Sequence, residues 1–550
     1  STQSCLTRPD LLLDDNRQAH VVWYGAEVED VNGRLQPRQL IYESIKTGST
    51  WTSPAIVGQS QNNTQPAMAA SADGALHLAW DGGQTVNYAA QVQYECDTAQ
   101  LTNYGRILYD IARKDTYLPA DDPVPFCQNQ YDRLLITPNP DPAYSNDPMP
   151  PNGVYDKIGD MIRGAQYEVL FSTMWYSSAS NHDSPGAVIA ASVAALYNKV
   201  KANPEQYPRG MTVRILLDNP PELATGKPTG QLWSLIGDLR YAGIDKMVDE
   251  EIGWRLEVAD FEGNLPHSHV KTVVVDGKTA AANGFNMTYD HFPTDHQSGL
   301  GKGRFDVGLQ ITGPAAQATQ RMFDDMWAGA DQRYCLNLHP PLGIPWQVTC
   351  FDKTAVADHV PEVQKFYLPG GSSTAFSMYR SKVHDQADQQ TIAVLTAAQE
   401  SVDVIHVNFT LDLICNLNIL FEVCNFDIAP DYMTGLLAAA QKGATVRVII
   451  KPGPFEGIEN QVALNALGQR LEELGIEDRI EVRYFNGSLH PKVTLIDNQL
   501  LIVGSQNLHY SAFGSGGGLT EYSIATEDPQ AISDFQKVFE YEWAQAIPAQ

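Results

Sequence analysis

Two stretches of the chain carry one pattern at the same offsets. HVKTVVVD followed by NGFN places His269, Lys271 and Asp276 ahead of Asn283, Gly284 and Asn286; HPKVTLID followed by GSQN places His490, Lys492 and Asp497 ahead of Gly504, Ser505 and Asn507. A single His-x-Lys is commonplace, but two copies with matching downstream turns are hard to obtain by accident. In a β-branched, alternating run, residues two apart leave the same face of a strand, so each copy is expected to aim an imidazole and an ammonium at one point. Each aspartate ends its strand at a turn, and the returning strand carries an asparagine amide back towards the pair.

The repetition extends upstream. DKIGDMIRGA, YEVLFSTMWY, VIAASVAALYNKVKAN, TVRILLD, LWSLIGDLRYAGI and RLEVADF alternate helical and strand spacing before the first motif. TIAVLTAAQESVDVIHVNF, YMTGLLAAAQKGATVRVIIK and LGQRLEELGIEDRIEVRYF retrace that order before the second. This βαβ rhythm predicts an α/β fold of two pseudo-symmetric lobes, residues 151–335 and 370–550, each with a largely parallel sheet covered by helices. A proline-rich linker, 336–369, joins them. Residues 101–150 read as a helix and a loop connection. Residues 1–100 hold short strands with turn signals, among them HVVWYGAEV and GALHLAWDGG, and form a small all-β domain. Trp23 and Trp80 close apolar strands and Trp51 precedes Ser-Pro, which is similar to the strand units of sialidase-type propeller repeats, although about two units are too few to close a propeller.

Acidic residues outnumber basic ones, 65 to 37, for a formal charge of −28. Such a surface repels a polyanion, so nucleic acid is not expected as a partner. No apolar run approaches the roughly 20 residues that cross a bilayer as a helix. The seven cysteines, at positions 5, 96, 127, 335, 350, 415 and 424, form no CxxC pair and no His/Cys cluster at zinc spacing, which favours disulfides over metal. Cys335 with Cys350 and Cys415 with Cys424 would close short loops, and Cys5 could reach Cys96 or Cys127. With a first residue other than Met, this usage leads us to expect an exported protein, secreted or periplasmic, and a monomer is expected.

The paired motifs suit phosphodiester chemistry, which needs charge neutralisation, a nucleophile and an acid for the leaving oxygen. Lys271 and Lys492 can hold the non-bridging oxygens while Asn286 and Asn507 donate hydrogen bonds. One histidine attacks phosphorus; the other protonates the departing alcohol and then deprotonates incoming water or alcohol. This scheme requires no metal and no other cofactor. Asp276 and Asp497, at turns, have structural roles. Trp175, Tyr176 and His406 stand at strand ends, where such sheets line a crevice, and are candidate substrate contacts. His267 shares the first motif's neighbourhood but not its spacing, and reads as a rim residue.

Duplicated HxKxxxxD stretches followed by GSxN resemble the phospholipase D superfamily from about residue 150 to the C-terminus. The second copy matches fully through Gly504, Ser505 and Asn507; the first has NGFN where GSxN or GGxN is usual, which alters a turn residue and keeps the amide. Within the superfamily the chain looks most like the secreted bacterial phospholipases D, in FDVGLQITGPAAQATQRMFDDMWAGADQRYC and in FGSGGGLTEYSIATEDP. The resemblance implies two αβα-sandwich lobes. It also implies hydrolysis of phospholipids at a membrane or micelle surface to phosphatidic acid and free headgroup through a covalent phosphohistidine, with transfer to alcohols. It makes His269 the nucleophile and His490 the acid/base, in roles that the pseudo-symmetry allows to be exchanged. Asp306 and Glu521, each opening the strand after its motif, resemble the family's histidine-orienting acids. The alternative is a nuclease or other non-lipid phosphodiesterase of the same superfamily, which the acidic charge disfavours.

Overall fold

The computed structural model describes residues 7–13, 19–31, 34–47, 50–51, 54–59, 65–70, 76–81, 86–91, 96–114, 117, 124, 126–147, 150–178, 181–207, 210–218, 231–261, 267–335, 350–353, 371–411, 431–452, 456–514 and 518–549. Two compact units result. The first is all-β, as expected. Strands β1 (Thr7–Leu13), β2 (Ala19–Val31), β3 (Arg34–Thr47), β4 (Thr50–Trp51) and β5 (Ala55–Gln59) form one antiparallel sheet; β6 (Ala67–Ala70), β7 (Leu76–Asp81) and β8 (Val86–Gln91) form another. Val22, Tyr24, Ile41, Val57, Leu78 and Trp80 make its core. Trp23 stacks on Tyr42.

The second unit holds both lobes, and their sheets repeat one strand order. In the first lobe, β9 (Gln130–Thr137), β10 (Glu168–Thr173), β11 (Met211–Leu217), β12 (Val248–Asp249), β13 (Trp254–Asp260), β14 (Thr272–Val275), β15 (Thr279–Asn283), β16 (Asp306–Thr312), β17 (Asp331–Cys335) and β18 (Cys350–Lys353) run in the order β18-β17-β13-β11-β10-β14-β15-β16-β9, with β12 on β13. In the second, β19 (Ala375–Arg380), β20 (Ser401–His406), β21 (Thr445–Ile450), β22 (Ile480–Tyr484), β23 (Lys492–Ile496), β24 (Leu500–Gly504), β25 (Glu521–Thr526) and β26 (Ile547–Pro548) run β19-β25-β24-β23-β20-β21-β22-β26. From β13 to β9 and from β22 to β19 the two orders coincide.

Three expectations change. The sheets are mixed rather than largely parallel: only β10, β11 and β13, and their counterparts β20, β21 and β22, pair in parallel. The strands after each motif return by tight hairpins, and a hairpin can only pair antiparallel. Residues 101–150 are no mere connection, because β9 is the antiparallel neighbour of β16, and helix α1 (Asn103–Ala112) sends the Tyr104 hydroxyl to Asp497 of the second lobe. The linker expected at 336–369 lies outside the described residues except for Cys350–Lys353, which extends the first sheet.

A disulfide joins Cys96 to Cys127. That bond removes Cys96 and Cys127 as the partners expected for Cys5, which itself lies outside the described residues, as do Cys415 and Cys424. The backbones of Cys335 and Cys350 are paired in register across β17 and β18.

Helices α2 (Val154–Gly164), α3 (Pro185–Ala202) and α4 (Gln231–Tyr241) cover the outer face of the first sheet. Helix α3 starts where its sequence directs, with Ser184 accepting the Ala187 N–H ahead of Pro185. Helix α5 (Pro314–Ala328) sends Met322, Phe323 and Trp327 into a core shared by both sheets. Helices α6 (Gln386–Ala397), α7 (Asp431–Gln441) and α8 (Glu456–Leu474) cover the second sheet's outer face, and α9 (Pro529–Gln545) adds Phe535, Phe539 and Trp543 to the shared core. The lobes are therefore fused through apolar packing, and the two motifs meet across it. No helix among the described residues is long and apolar enough to cross a membrane.

Candidate active site

Each motif lysine sits at a strand start rather than inside a strand. His269 and Lys271 precede β14, and Lys492 opens β23 two residues after His490. What holds each His-Lys pair together is a hydrogen bond from the lysine ammonium to the carbonyl of its own histidine, from Lys271 to His269 and from Lys492 to His490. Both ammonium groups are buried.

The motif aspartates brace this arrangement from the far end of the hairpin. Asp276 and Asp497 have φ of 56° and 49°, the left-handed turn geometry that Asp tolerates better than most residues. Asp276 accepts the backbone N–H groups of Gln166, Tyr167 and Glu168; Asp497 accepts those of Gln399, Glu400 and Ser401. Each one thus ties the hairpin carrying the lysine to the start of the antiparallel strand beside it, β10 or β20.

The orienting acids cross between lobes. His269 Nδ1 lies 3.0 Å from Glu521 Oε2 and 3.0 Å from the Ser505 carbonyl, both in the second lobe. His490 Nδ1 lies 2.7 Å from Asp306 Oδ2 of the first lobe. The backbones cross in the same way: the His269 N–H donates to the Thr520 carbonyl and the His490 N–H to the Phe305 carbonyl. Each histidine is thus held by the strand that opens with its acid.

The Ser505 carbonyl can only accept, so His269 carries its proton on Nδ1 and leaves Nε2 as a free lone pair. Ser505 also donates its hydroxyl to Glu521. Gly504 has no room for a side chain, since a Cβ there would stand 2.3 Å from Ser523 Oγ. In the first lobe the turn residue is Gly284, and a Cβ there would meet Asp306 Oδ1 at 2.1 Å. NGFN departs from the usual motif because the shorter acid occupies the space that a serine would need.

Burial dominates the electrostatics. It pushes Asp306 and Glu521 up to about 7, against the pull of Lys492 and Lys271 respectively. It draws Lys492 down to about 7 and Lys271 to about 8, opposed by the same carboxylates. Burial, then the neighbouring lysines, holds both His269 and His490 well below the ordinary imidazole range. A compact set of two lysines, two imidazoles and two acids is able to take up a phosphodiester anion, whose charge favours a proton on His490, and to move that proton.

The remaining predicted residues divide. Asn286 is buried, and its Oδ1 accepts the Trp175 N–H at 3.3 Å, which turns its amide N–H groups to the other side. Asn507 is half-buried. Trp175 is 37% exposed beside Asn286 and remains a candidate substrate contact. Tyr176 is not one: its ring is in the outer core and its hydroxyl donates to the buried Asp238 at 2.9 Å. His406 is also buried, with Nε2 3.3 Å from Thr494 Oγ1 and its backbone in register with Lys492, so it supports the lysine strand rather than lining a surface. His267 is half-buried and passes its carbonyl to the Thr520 N–H.

Sequence reasoning missed two residues. His291 is buried with its ring edge-on to His490, 5.5 Å between centroids. Arg304 bonds Ser488 Oγ and pairs with Asp290, adding positive charge near His490. Arg304 stands two residues before Asp306 and was visible by position; His291 follows a turn with no counterpart histidine in the second lobe.

A family model described as the PLD-like domain of cardiolipin synthase matches residues 391–543. The cardiolipin synthase of Geobacillus thermodenitrificans (strain NG80-2) is 23% identical over 342 residues, covering 60% of this chain and 56% of that protein. That of Geobacillus kaustophilus (strain HTA426) is 24% identical over 346 residues, covering 61% and 57%. The chain thus spans about half the length of the curated relatives it matches. The fold is similar to the crystal structure of phosphatidylserine synthase from Haemophilus influenzae Rd KW20, with a TM-score of 0.50, 12% identity and coverage of 82% of this chain and 92% of that one. The two like lobes pool their paired His-Lys sets at one site. Residues 391–543 thus carry a domain of the phospholipase D superfamily, and the first lobe repeats its motif.

Proposed function

We propose that this protein moves a phosphatidyl group from a phospholipid to water or an alcohol through a phosphohistidine on His269. The observation that carries the reading is the Nδ1 environment of His269, where a carbonyl and a carboxylate hold the proton on one nitrogen and leave the other to attack. In the first step His269 Nε2 forms a bond to phosphorus while the headgroup oxygen leaves with a proton from His490. In the second, His490 takes the proton of the incoming hydroxyl, its oxygen bonds phosphorus, and the bond to His269 breaks. Lys271, Lys492, Asn286 and Asn507 hold the non-bridging oxygens as charge grows on them.

Hydrolysis to phosphatidic acid and free headgroup is one outcome of this scheme, and transfer is the other. A synthase-type acceptor, the hydroxyl of a second lipid, is a specific form of the same chemistry, favoured by the likeness to cardiolipin synthases. Nucleic acid as substrate is disfavoured by the charge of −28. We propose export from the cytoplasm as well, supported by the Cys96–Cys127 disulfide.

Incubation with phosphatidylcholine vesicles containing ethanol, with EDTA present, tests the reading beside parallel single- and double-stranded DNA. Choline release with phosphatidylethanol is expected. Cleavage of DNA with untouched lipid would move the protein to the nuclease branch.

A further inference from the structure

Three side chains converge in a way the reaction above does not use. His291, Asp306 and His490 each offer one donor atom, and the three atoms lie within 4.8 Å of one another. His291 reaches this place from the short 3-10 turn Tyr289–His291 and is 1% exposed. Its tautomer follows from its neighbours. Thr137 gives its single hydroxyl proton to the Arg304 carbonyl at 2.8 Å, so the 3.3 Å contact between Thr137 Oγ1 and His291 Nδ1 uses a proton on Nδ1. Nε2 is then a bare lone pair, buried and without a hydrogen-bond partner among the described residues. A buried acceptor left in that state favours whatever ligand can fill it.

We propose that His291, Asp306 and His490 form an inhibitory site for a zinc-class divalent cation. Two imidazoles and a carboxylate are a donor set for zinc and its neighbours in the first transition row, whereas magnesium and calcium take oxygen ligands. Bonds of about 2.0–2.2 Å at tetrahedral angles set donors about 3.4 Å apart. The donors here lie within 4.8 Å of one another, and His490 Nδ1 stands 2.7 Å from Asp306 Oδ2. Entry of the ion replaces the hydrogen bond between His490 and Asp306 by two metal bonds and releases its proton to solvent. The ion then takes Asp306 from His490 and lowers the basicity of the ring's other nitrogen, so proton exchange with substrate slows, and this inhibitory consequence rests on the function proposed above.

The Lys492 ammonium, 2.9 Å from His490 Nδ1, and the Arg304 guanidinium oppose a cation here. They keep the affinity below that of a structural zinc site, so the ion is a reversible inhibitor and not a resident group. Among the described residues no second such group of donors forms around the His269–Glu521 pair, where Ala512 follows Asn507 as His291 follows Asn286.

Cobalt(II) titration of the full chain tests the proposal without reference to activity. The intact protein is expected to develop the visible absorption of a low-coordinate cobalt site, saturating at one ion and displaced by zinc but not by magnesium. His291→Ala and His291→Gln, checked for fold by circular dichroism, should lose that absorption and weaken zinc inhibition at least about tenfold. An unchanged cobalt spectrum in folded His291→Gln, or no such spectrum in the intact protein, overturns the site. Zinc should also shield His490 of the intact protein from acylation by diethyl pyrocarbonate, read by mass spectrometry, and an acylation rate that saturating zinc leaves unchanged sinks the proposal without any variant. If cobalt binds through His291 but no phosphodiester is turned over, the cation site stands and the catalytic reading falls.

Discussion

Glu521 of the second lobe holds His269 of the first, Oε2 to Nδ1 at 3.0 Å, while Asp306 of the first holds His490 of the second at 2.7 Å. Neither lobe can complete a histidine-acid pair alone, which gives the apolar fusion of the two sheets a catalytic purpose. On the proposed mechanism the crossing also separates the two acids by function, because Glu521 serves the nucleophile and Asp306 the acid/base.

Glu521→Gln should therefore slow turnover of every substrate, on the order of 10²–10⁴-fold, since the phosphorylated imidazole loses its counter-charge whatever the leaving group. Asp306→Asn should cost a comparable amount with phosphatidylcholine and far less with a p-nitrophenyl phosphodiester, whose leaving group needs no acid. Steady-state rates with both substrates on both variants check this. Equal losses for Asp306→Asn on the two substrates would mean that His490 is not the acid.

The covalent step can be seen directly. His490→Ala, given the activated aryl phosphodiester, should accumulate a phosphoryl adduct on His269, because attack survives and water activation does not. Intact-mass and peptide mass spectrometry locate the adduct. An adduct on His490 in His269→Ala, with none on His269 in His490→Ala, would exchange the two roles.

The rate should depend on pH in a way that identifies the lysines. Asp306 and Glu521 ionise near 7, and Lys492 and Lys271 lose their protons near 7 and 8, so kcat/KM should follow a narrow bell whose apparent values belong to the whole network. A bound phosphodiester anion favours the ammonium form, which raises the lysine values in the complex. The alkaline limb of kcat should then lie at higher pH than that of kcat/KM. Coincident limbs would argue that the lysines do not hold the phosphate.

Asp497→Ala should destabilise the protein without touching the chemistry. It leaves the N–H groups of Gln399, Glu400 and Ser401 and the Tyr104 hydroxyl without their acceptor, a loss of about 2–4 kcal/mol for a buried network of this kind. Denaturant titration reads the loss. A stable variant with lowered kcat would contradict the structural role.

The two lobes, the paired His-Lys sets and the two acids that meet them were legible in the sequence, since each depends on residue type and spacing. It did not show which acid meets which histidine, because that pairing is made between lobes more than 180 residues apart in sequence. It misjudged Tyr176, whose place at a strand end says nothing of the side on which Asp238 waits. It also took residues 101–150 for a connection, although QYDRLLIT carries strand residues, because prolines and aspartates around them outweighed the run. His291 was out of reach: its site is assembled from three separate segments and leaves no spacing to read.

The first motif's glycine offers the sharpest test of the packing around the acids. Ser505 and Glu521 coexist because the longer side chain leaves room for a hydroxyl, which then bonds the carboxylate. Asp306 is shorter and is held in place by the Val307 N–H at 2.8 Å and by His490, so a Cβ on Gly284 at 2.1 Å from Oδ1 must push the carboxylate off the histidine. Gly284→Ser should therefore lower kcat at least about tenfold on phosphatidylcholine, with a smaller loss on the p-nitrophenyl substrate, in the pattern of Asp306→Asn. Combining Gly284→Ser with Asp306→Glu copies the second lobe's pair into the first and should recover part of the rate. If Gly284→Ser alone retains full activity, the carboxylate has freedom that the geometry denies it, and the explanation given for NGFN fails.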